Sequence, residues 1–159
     1  MDIVLWRHAE AEDIANSDLA RRLTPRGERQ AEQMALWLKP QLGNPEKRAG
    51  QWRVISSPAV RAQETAVALG MPVETIALIA PDASVEAIFR AADWPTSSKN
   101  VIVVGHEPTL GMVAGQLLNG IESYVPFKKG AVWWFRFCQQ DGETKAVLVA
   151  MASPDTGAH

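Results

Sequence analysis

The sequence predicts a three-layer α/β/α fold with a mostly parallel sheet and an antiparallel edge hairpin, and three observations predict it. Short apolar runs alternate with segments of helical periodicity, an order typical of a sheet with helices on both faces. Two apolar runs near the carboxyl terminus flank "QQDGE" and indicate a hairpin, which makes one edge antiparallel. The chain has 159 residues, 47% hydrophobic and 21% charged, which suits one domain with a sizeable core.

The first strand and helix are indicated by patterns in the first 42 residues. The apolar run at residues 3–6 predicts a buried strand. Thr24 is placed to cap a helix, with Pro25 at its first position, where a missing N–H costs nothing. Pro40 predicts that this helix ends near it. The helix has apolar residues at the spacing of one buried face: Ala31, Met34, Ala35, Leu38 and Leu42.

The middle of the chain is predicted to alternate in the same way. Residues 43–51, "GNPEKRAGQ", are expected to form a surface loop, and residues 52–56 a second strand. A helix is predicted from about Pro58 to Gly70. Residues 73–79 are expected to hold a short strand.

The last third of the chain supplies the remaining elements. Ser84 is expected to cap a helix that ends before Trp94-Pro95. "NVIVVG", residues 100–105, is the clearest buried strand, and a helix follows it up to Asn119-Gly120.

The domain is predicted to end with the hairpin of residues 131–137 and 145–151. This prediction makes residues 1–151 a single domain and residues 152–159 a flexible tail.

Composition narrows the class of function. A net charge of −2 gives no general attraction to nucleic acid or membrane, so neither is expected as a partner. The single Cys138 excludes an intramolecular disulfide and fits a reducing compartment. No signal-peptide pattern and no run near the ~18 apolar residues of a membrane span is found. These features predict a cytoplasmic protein.

Three predicted strand ends carry unusual polar residues. Ligands of open α/β sheets bind at the carboxyl ends of strands. The first strand ends in Arg7-His8, the second leads to Ser57 and then Arg61, and the third leads to His106. We expect these ends to meet around one anion.

The residue types at these ends suit phosphoryl chemistry. Arginine offers a planar fork matched to phosphate oxygens, and the two helix starts near Pro58 and Pro108 are expected to add N–H groups. Positive charge nearby disfavours imidazolium, so a histidine there stays neutral. A neutral imidazole can attack phosphorus and form a phosphohistidine intermediate, which water then cleaves.

Three segments carry a resemblance to a known family. "LWRHAEA", "SSPAVRAQET" and "VIVVGHEPTLGMV" resemble the signatures of the histidine phosphatase superfamily, also called the phosphoglycerate mutase-like family. The short length, "RRLTPRG" and "GHEP" resemble its small phosphohistidine phosphatase branch, the SixA-like proteins. The resemblance spans residues 3 to about 113. It implies a phosphoglycerate mutase-like fold.

The resemblance also implies roles for individual residues. His8 is expected to be the phosphorylated nucleophile, and Arg7, Arg61 and His106 to bind the phosphoryl group. Arg21 matches an arginine of the small branch and is expected to reach the phosphate. Ser57 is expected either to donate a hydrogen bond in the phosphate site or to cap the helix. No cofactor is expected to take part. No metal is expected either, because the spacings around His8 and His106 match no zinc motif.

Two departures from the family pattern stand out. The wider family usually has glycine after the nucleophilic histidine, where this chain has Ala9; a positive φ there would be strained. Mutases and many monoesterases of the family carry an acidic proton donor on an insertion, and the matching stretch here is short. Asp82 is the best-placed candidate donor, although its position favours a solvated turn residue.

Several functions remain open at this point. One is a phosphohistidine phosphatase acting on a phosphorylated protein, and a second is a small-molecule phosphomonoesterase. A third is a phosphate-binding module without turnover, and a metal hydrolase is a distant fourth. The chain has little sequence for a lid beyond the loop at residues 120–130, which favours a protein substrate. The resemblance suggests a phosphohistidine-containing partner of the phosphorelay or phosphotransferase type.

Overall fold

A six-stranded mixed sheet runs through the computed structural model, which describes residues 1–155. Four strands are parallel to one another, and a carboxyl-terminal hairpin lies antiparallel at one edge. The spatial order is β3-β2-β4-β1-β5-β6. The strands are β1 (Asp2–Arg7), β2 (Trp52–Ser56), β3 (Val73–Thr75), β4 (Asn100–Gly105), β5 (Val132–Gln140) and β6 (Glu143–Ala152). This architecture confirms the predicted fold class.

Helices cover both faces of the sheet, so β1 is buried on both of its faces. Val4 and Trp6 pack in one core with α1 and α3, while Ile3 and Leu5 point the other way and pack with α4 and α5. Near-continuous apolar strands are expected when both faces are covered. The α-helices are α1 (Pro25–Leu38), α2 (Pro45–Gln51), α3 (Val60–Val67), α4 (Val85–Ala92) and α5 (Thr109–Asn119).

Local capping explains where two helices begin. Thr24 Oγ1 accepts the Gly27 N–H at 2.9 Å, with Pro25 at the first position of α1, as the sequence predicts. Ser84 Oγ accepts the Ala87 N–H at 3.1 Å and starts α4 in the same way. The first helix ends at Leu38 and continues as a 3₁₀ turn.

The loop expected over residues 43–51 is wrong, because α2 occupies most of it. Asn44 Oδ1 accepts the Glu46 N–H at 2.9 Å, and Pro45 takes the first helical position. The Asn-Pro-Glu order is a helix-start signal. Buried apolar residues are absent from α2, so apolar periodicity could not have indicated it.

The hairpin is longer than expected. Its strands extend through "QQDGE" and leave a two-residue turn at Asp141 and Gly142, with φ of 53° and 77°. Asp-Gly suits a turn with two positive φ values, which matches the twist of the strands. The strands therefore pair almost to the turn.

The ordered chain also extends past the boundary expected at residue 151. Ala152 is the last residue of β6, Ser153 is buried, and the Gln33 side chain donates to the Pro154 carbonyl at 3.2 Å. Residues 152–154 are thus packed against the domain, unlike a flexible tail. Residues 156–159 of the expected tail lie outside the described residues.

Among residues 1–155, no helix combines the length and the apolar character that are needed to cross a membrane.

Candidate active site

The carboxyl ends of three adjacent strands open into one cavity of about 360 Å³. Since β4 lies between β1 and β2, the segments that follow these strands meet at one edge of the sheet. Most of the residues predicted from the sequence come together there, with Ser57 the exception. The lining residues are Arg7, His8, Asp18, Arg21, Arg61, Pro81, Asp82, His106, Glu107 and Lys129.

His8 is held as a neutral imidazole with one nitrogen free. Its Nδ1–H donates to the Ala9 carbonyl at 2.8 Å, so the lone pair lies on Nε2. Burial is the main cause that lowers the pKa of His8 to about 3, and electrostatic interactions with His106, Arg61 and Arg7 act in the same direction. The imidazole is therefore unprotonated at neutral pH and available as a nucleophile.

His106 faces His8 across the cavity floor. The two rings are 5.2 Å apart between centroids and tilted by 55°. Burial, followed by the Arg61 charge, lowers the pKa of His106 to about 4. Both histidines are thus neutral at physiological pH.

Ser57 supports His106 from behind. Its Oγ is 2.7 Å from His106 Nε2 and also accepts the Ala59 N–H at 3.1 Å. The side chain is fully buried and does not line the cavity. Ser57 therefore lies behind His106 and outside the cavity lining, and its bond to the Ala59 N–H precedes α3, which begins without a side-chain cap.

Arg7 is the last residue of β1 and is anchored by a backbone carbonyl. Its Nη1 donates to the Phe127 carbonyl at 2.6 Å, and its Nε has no hydrogen-bond partner. Burial lowers the pKa of Arg7. Among the described residues, no carboxylate lies within salt-bridge distance of it. Much of the guanidinium fork therefore remains available to an anion.

Arg61 is anchored differently, by an acid that the sequence reasoning missed. Arg61 is 4% exposed, and its Nη1 and Nη2 donate to the Asp18 carbonyl at 2.7 Å and carboxylate at 3.1 Å. Arg21 Nη1 donates to the same carboxylate at 3.1 Å. Hydrogen bonds from Arg21 and Arg61 lower the pKa of Asp18. The three-residue spacing of Asp18 and Arg21 is typical of an ion pair. The contact of Asp18 with Arg61 spans 43 residues, so no local sequence pattern indicates it.

Buried polar atoms without a hydrogen-bond partner concentrate in residues that line this cavity. Four buried side-chain nitrogen or oxygen atoms in residues 1–155 lack a hydrogen-bond partner, and three are Arg7 Nε, Arg61 Nε and His106 Nδ1. Buried polar groups are normally paired, so such a group of nitrogens suits a site that binds a polar ligand. The two guanidinium groups of the cavity suit an anionic ligand.

The helix starts contribute less than expected. The Val60 N–H of α3 donates to the Leu19 carbonyl at 2.9 Å, and the Gly111 N–H of α5 donates to Glu107 at 2.8 Å. These N–H groups are satisfied within the protein, contrary to the expectation that they bind the anion. Side chains supply the positive field.

Ala9 fits its position without strain. Its φ is not positive, and the side chain is fully buried. The Ala9 N–H donates to Thr65 Oγ1 at 3.1 Å, and that hydroxyl donates to the Arg61 carbonyl at 2.7 Å. Thr65 therefore connects the segment that carries His8 with the helix that carries Arg61.

Asp82 lines the cavity from an exposed loop and has a φ of 67°. Aspartate tolerates this left-handed conformation better than most residues. Glu107, which directly follows His106, also lines the cavity. Within residues 1–155, no group of three or more His, Cys, Asp or Glu side chains could hold a metal ion.

The chain has relatives of known family. It matches the family model of the histidine phosphatase superfamily (branch 1) over residues 3–80. A phosphohistidine phosphatase SixA homolog of Haemophilus influenzae is 32% identical, with 97% of each chain covered. An uncharacterized protein of Mycobacterium leprae, ML1117, is 35% identical over 68% of each chain. The solved structure of the protein histidine phosphatase SixA complexed with tungstate covers 98% of both chains at 25% identity, with a TM-score of 0.77.

Proposed function

The chain belongs to the histidine phosphatase superfamily, and on that premise we propose that this phosphatase acts on phosphohistidine in a protein through a covalent phosphoenzyme at His8. The observation that carries the proposal is the neutral His8 imidazole, whose Nε2 is free in a cavity shared with Arg7 and Arg61. The similarity to SixA proteins over nearly the whole chain supports the substrate class.

The proposed reaction has two displacements at phosphorus. The Nε2 lone pair of His8 attacks, a new N–P bond forms, and the P–N bond to the substrate histidine breaks. Arg7 and Arg61 stabilise the charge on the equatorial oxygens, with Arg21 and His106 beside them. Water then attacks phosphorus, the His8–P bond breaks, and phosphate leaves while His8 returns to neutral imidazole.

A dedicated proton donor is not required for this leaving group. The substrate imidazole can depart as a neutral group that already carries a proton. The acids of the cavity are poor candidates for such a donor. Asp18 is held ionised between two arginines, Asp82 is exposed to solvent, and Glu107 accepts three hydrogen bonds from protein groups.

A substrate series ordered by leaving-group basicity tests the proposal. An alkoxide leaving group needs a positioned acid, which typically contributes about 10²–10⁴-fold. We expect efficient hydrolysis of phosphohistidine and phosphoramidate, weak hydrolysis of an activated aryl phosphate, and almost none of phosphoserine. Equal efficiency on phosphoserine would favour the small-molecule phosphomonoesterase instead.

The partner is proposed to be a phosphohistidine protein of the phosphorelay or phosphotransferase type. Purified enzyme added to an extract with phosphohistidine-labelled proteins should remove label from one protein or a few. Uniform loss from all labelled proteins would contradict a dedicated partner.

A further inference from the structure

Glu107 binds three protein donors with its two carboxylate oxygens. Oε1 accepts the Gly111 N–H at 2.8 Å, in the first turn of α5. Oε2 accepts the Tyr124 hydroxyl at 2.7 Å and the Phe127 N–H at 3.1 Å. Glu107 therefore joins the end of β4 and α5 to the loop that precedes β5.

Phe127 also binds Arg7, through its carbonyl group. The Phe127 N–H donates to Glu107, while the Phe127 carbonyl accepts Arg7 Nη1 at 2.6 Å. Phe127 is 4% exposed, and its ring stacks on Trp133 at 5.3 Å between centroids. Phe127 thus bonds Glu107 through its N–H and Arg7 through its carbonyl, so a single buried residue connects the two side chains.

This arrangement brings a negative charge near Arg7 without occupying the guanidinium. Burial lowers the pKa of Arg7, and the charge of Glu107 opposes that effect. A carboxylate bound directly to Arg7 would compete with the phosphoryl oxygens for the same N–H groups. With Phe127 between them, the charge is balanced and the fork stays free.

The backbone of the loop is also held against α5. The Val125 N–H donates to the Gly111 carbonyl at 3.0 Å. A Cβ added at Gly111 would lie 2.3 Å from the Val125 carbonyl oxygen, so only glycine permits this close approach. Glu107 binds Gly111 and Phe127 on the two sides of this contact, which sets the distance between them.

We propose that Glu107 is a positioning residue that fixes the Arg7 guanidinium, through Phe127, in the orientation that binds the phosphoryl group. This rests on the role of Arg7 given under Proposed function. Glu107 acts on the reaction only through Arg7, and its oxygens bind protein donors.

A double-mutant cycle between Glu107→Gln and Arg7→Ala tests this link. The measurements are kcat/KM for phosphoramidate and the inhibition constant of inorganic phosphate. Glutamine cannot accept all three hydrogen bonds, because one of its terminal atoms is a donor. We expect kcat/KM to fall about tenfold, the effect of one lost hydrogen bond to a charged group. In the Arg7→Ala background, the same substitution should change kcat/KM less than twofold.

Glu122→Gln is the matched control, since it removes an exposed acid from the same loop and should change kcat/KM less than twofold. Thermal unfolding of all variants separates positioning from a loss of fold. If Glu107→Gln does not fold, Glu107→Asp enters the same cycle, because its shorter side chain cannot reach both anchors.

Equal tenfold losses in both backgrounds would refute the link to Arg7 while leaving the role of Arg7 intact. No loss in the wild-type background would refute it as well. An Arg7→Ala variant with full activity would instead refute the assigned role of Arg7 itself. Phosphoramidate serves as substrate so that neither result depends on the identity of the phosphohistidine protein.

Discussion

The two arginines of the cavity are held by opposite arrangements. Arg7 binds the backbone carbonyl of Phe127, and Glu107 binds the N–H of the same residue. Arg61 binds Asp18 directly, through both the carbonyl and the carboxylate. The carbonyl that Arg7 binds belongs to Phe127, whose buried ring stacks on Trp133, whereas the Asp18 side chain is 58% exposed.

This difference indicates how each side responds to substrate. On the Arg7 side, acid and phosphoryl group do not compete, so removing the acid should weaken binding. On the Arg61 side, the Asp18 carboxylate already occupies arginine N–H groups that a phosphoryl oxygen could use. Removing that acid should strengthen binding of a free anion.

In the comparison of the two arginine sides, the largest effect is expected from removal of either guanidinium. Arg7→Ala and Arg61→Ala should each lower kcat/KM by about 10²–10³-fold, because each removes donors from the charge that develops on phosphorus. Arg61→Lys should lose less, since it keeps the charge but not the fork. Steady-state kinetics on phosphoramidate measure this, with exposed Arg29→Ala as the control. Near-normal turnover in Arg61→Ala would remove Arg61 from the proposed site.

The pH dependence of stability tests the protonation state of His8, which lines the same cavity as the two arginines. The pKa of His8 is about 3 in the folded protein against 6.5 in its ordinary state, so only the unfolded chain takes up this proton between those values. Stability should therefore fall as pH drops below 6.5. Wild type should lose about 2 kcal/mol more than His8→Gln between pH 7.5 and 5.

Denaturant unfolding at both pH values measures that difference. The contribution of His106 is common to both proteins and cancels. Equal losses in wild type and His8→Gln would contradict a buried, neutral His8.

Asp18→Asn should give a smaller effect of opposite sign to Glu107→Gln. The substitution keeps the backbone carbonyl bound to Arg61 but removes the competing charge. The inhibition constant of inorganic phosphate should fall severalfold, which corresponds to at most about 1 kcal/mol for an exposed charge. Competitive inhibition assays on Asp18→Asn and Glu107→Gln measure both signs. Weaker phosphate binding in Asp18→Asn would show that Asp18 positions Arg61, as Glu107 is proposed to position Arg7, and does not compete with the anion.

The smallest effect is expected at Asp82. It lies on the rim in an exposed loop, and phosphohistidine needs no strong acid for its leaving group. Asp82→Asn should change the phosphohistidine rate by less than tenfold. A collapse of alkyl phosphate hydrolysis in this variant, after efficient turnover by wild type, would identify Asp82 as a general acid.

The sequence predicted the fold class and many of the side chains that line the cavity. Strand ends are visible as polar residues after apolar runs, so the sequence alone places Arg7, His8 and His106 at one end of the sheet. The residues that hold those side chains in place could not be predicted from the sequence. Asp18 meets Arg61 across 43 positions, and Glu107 reaches Arg7 only through Phe127, so neither pairing leaves a local pattern. Helix α2 was missed because it buries no apolar face.

Trapping the phosphoenzyme tests the central claim most directly. Wild-type enzyme mixed with radiolabelled phosphoramidate and quenched in alkali should carry an acid-labile, base-stable label that maps to the peptide containing His8. A folded His8→Ala variant should carry none and should not turn over, although Arg7 and Arg61 should still bind phosphate weakly. Label on a serine or an aspartate, or turnover by His8→Ala, would contradict a histidine nucleophile.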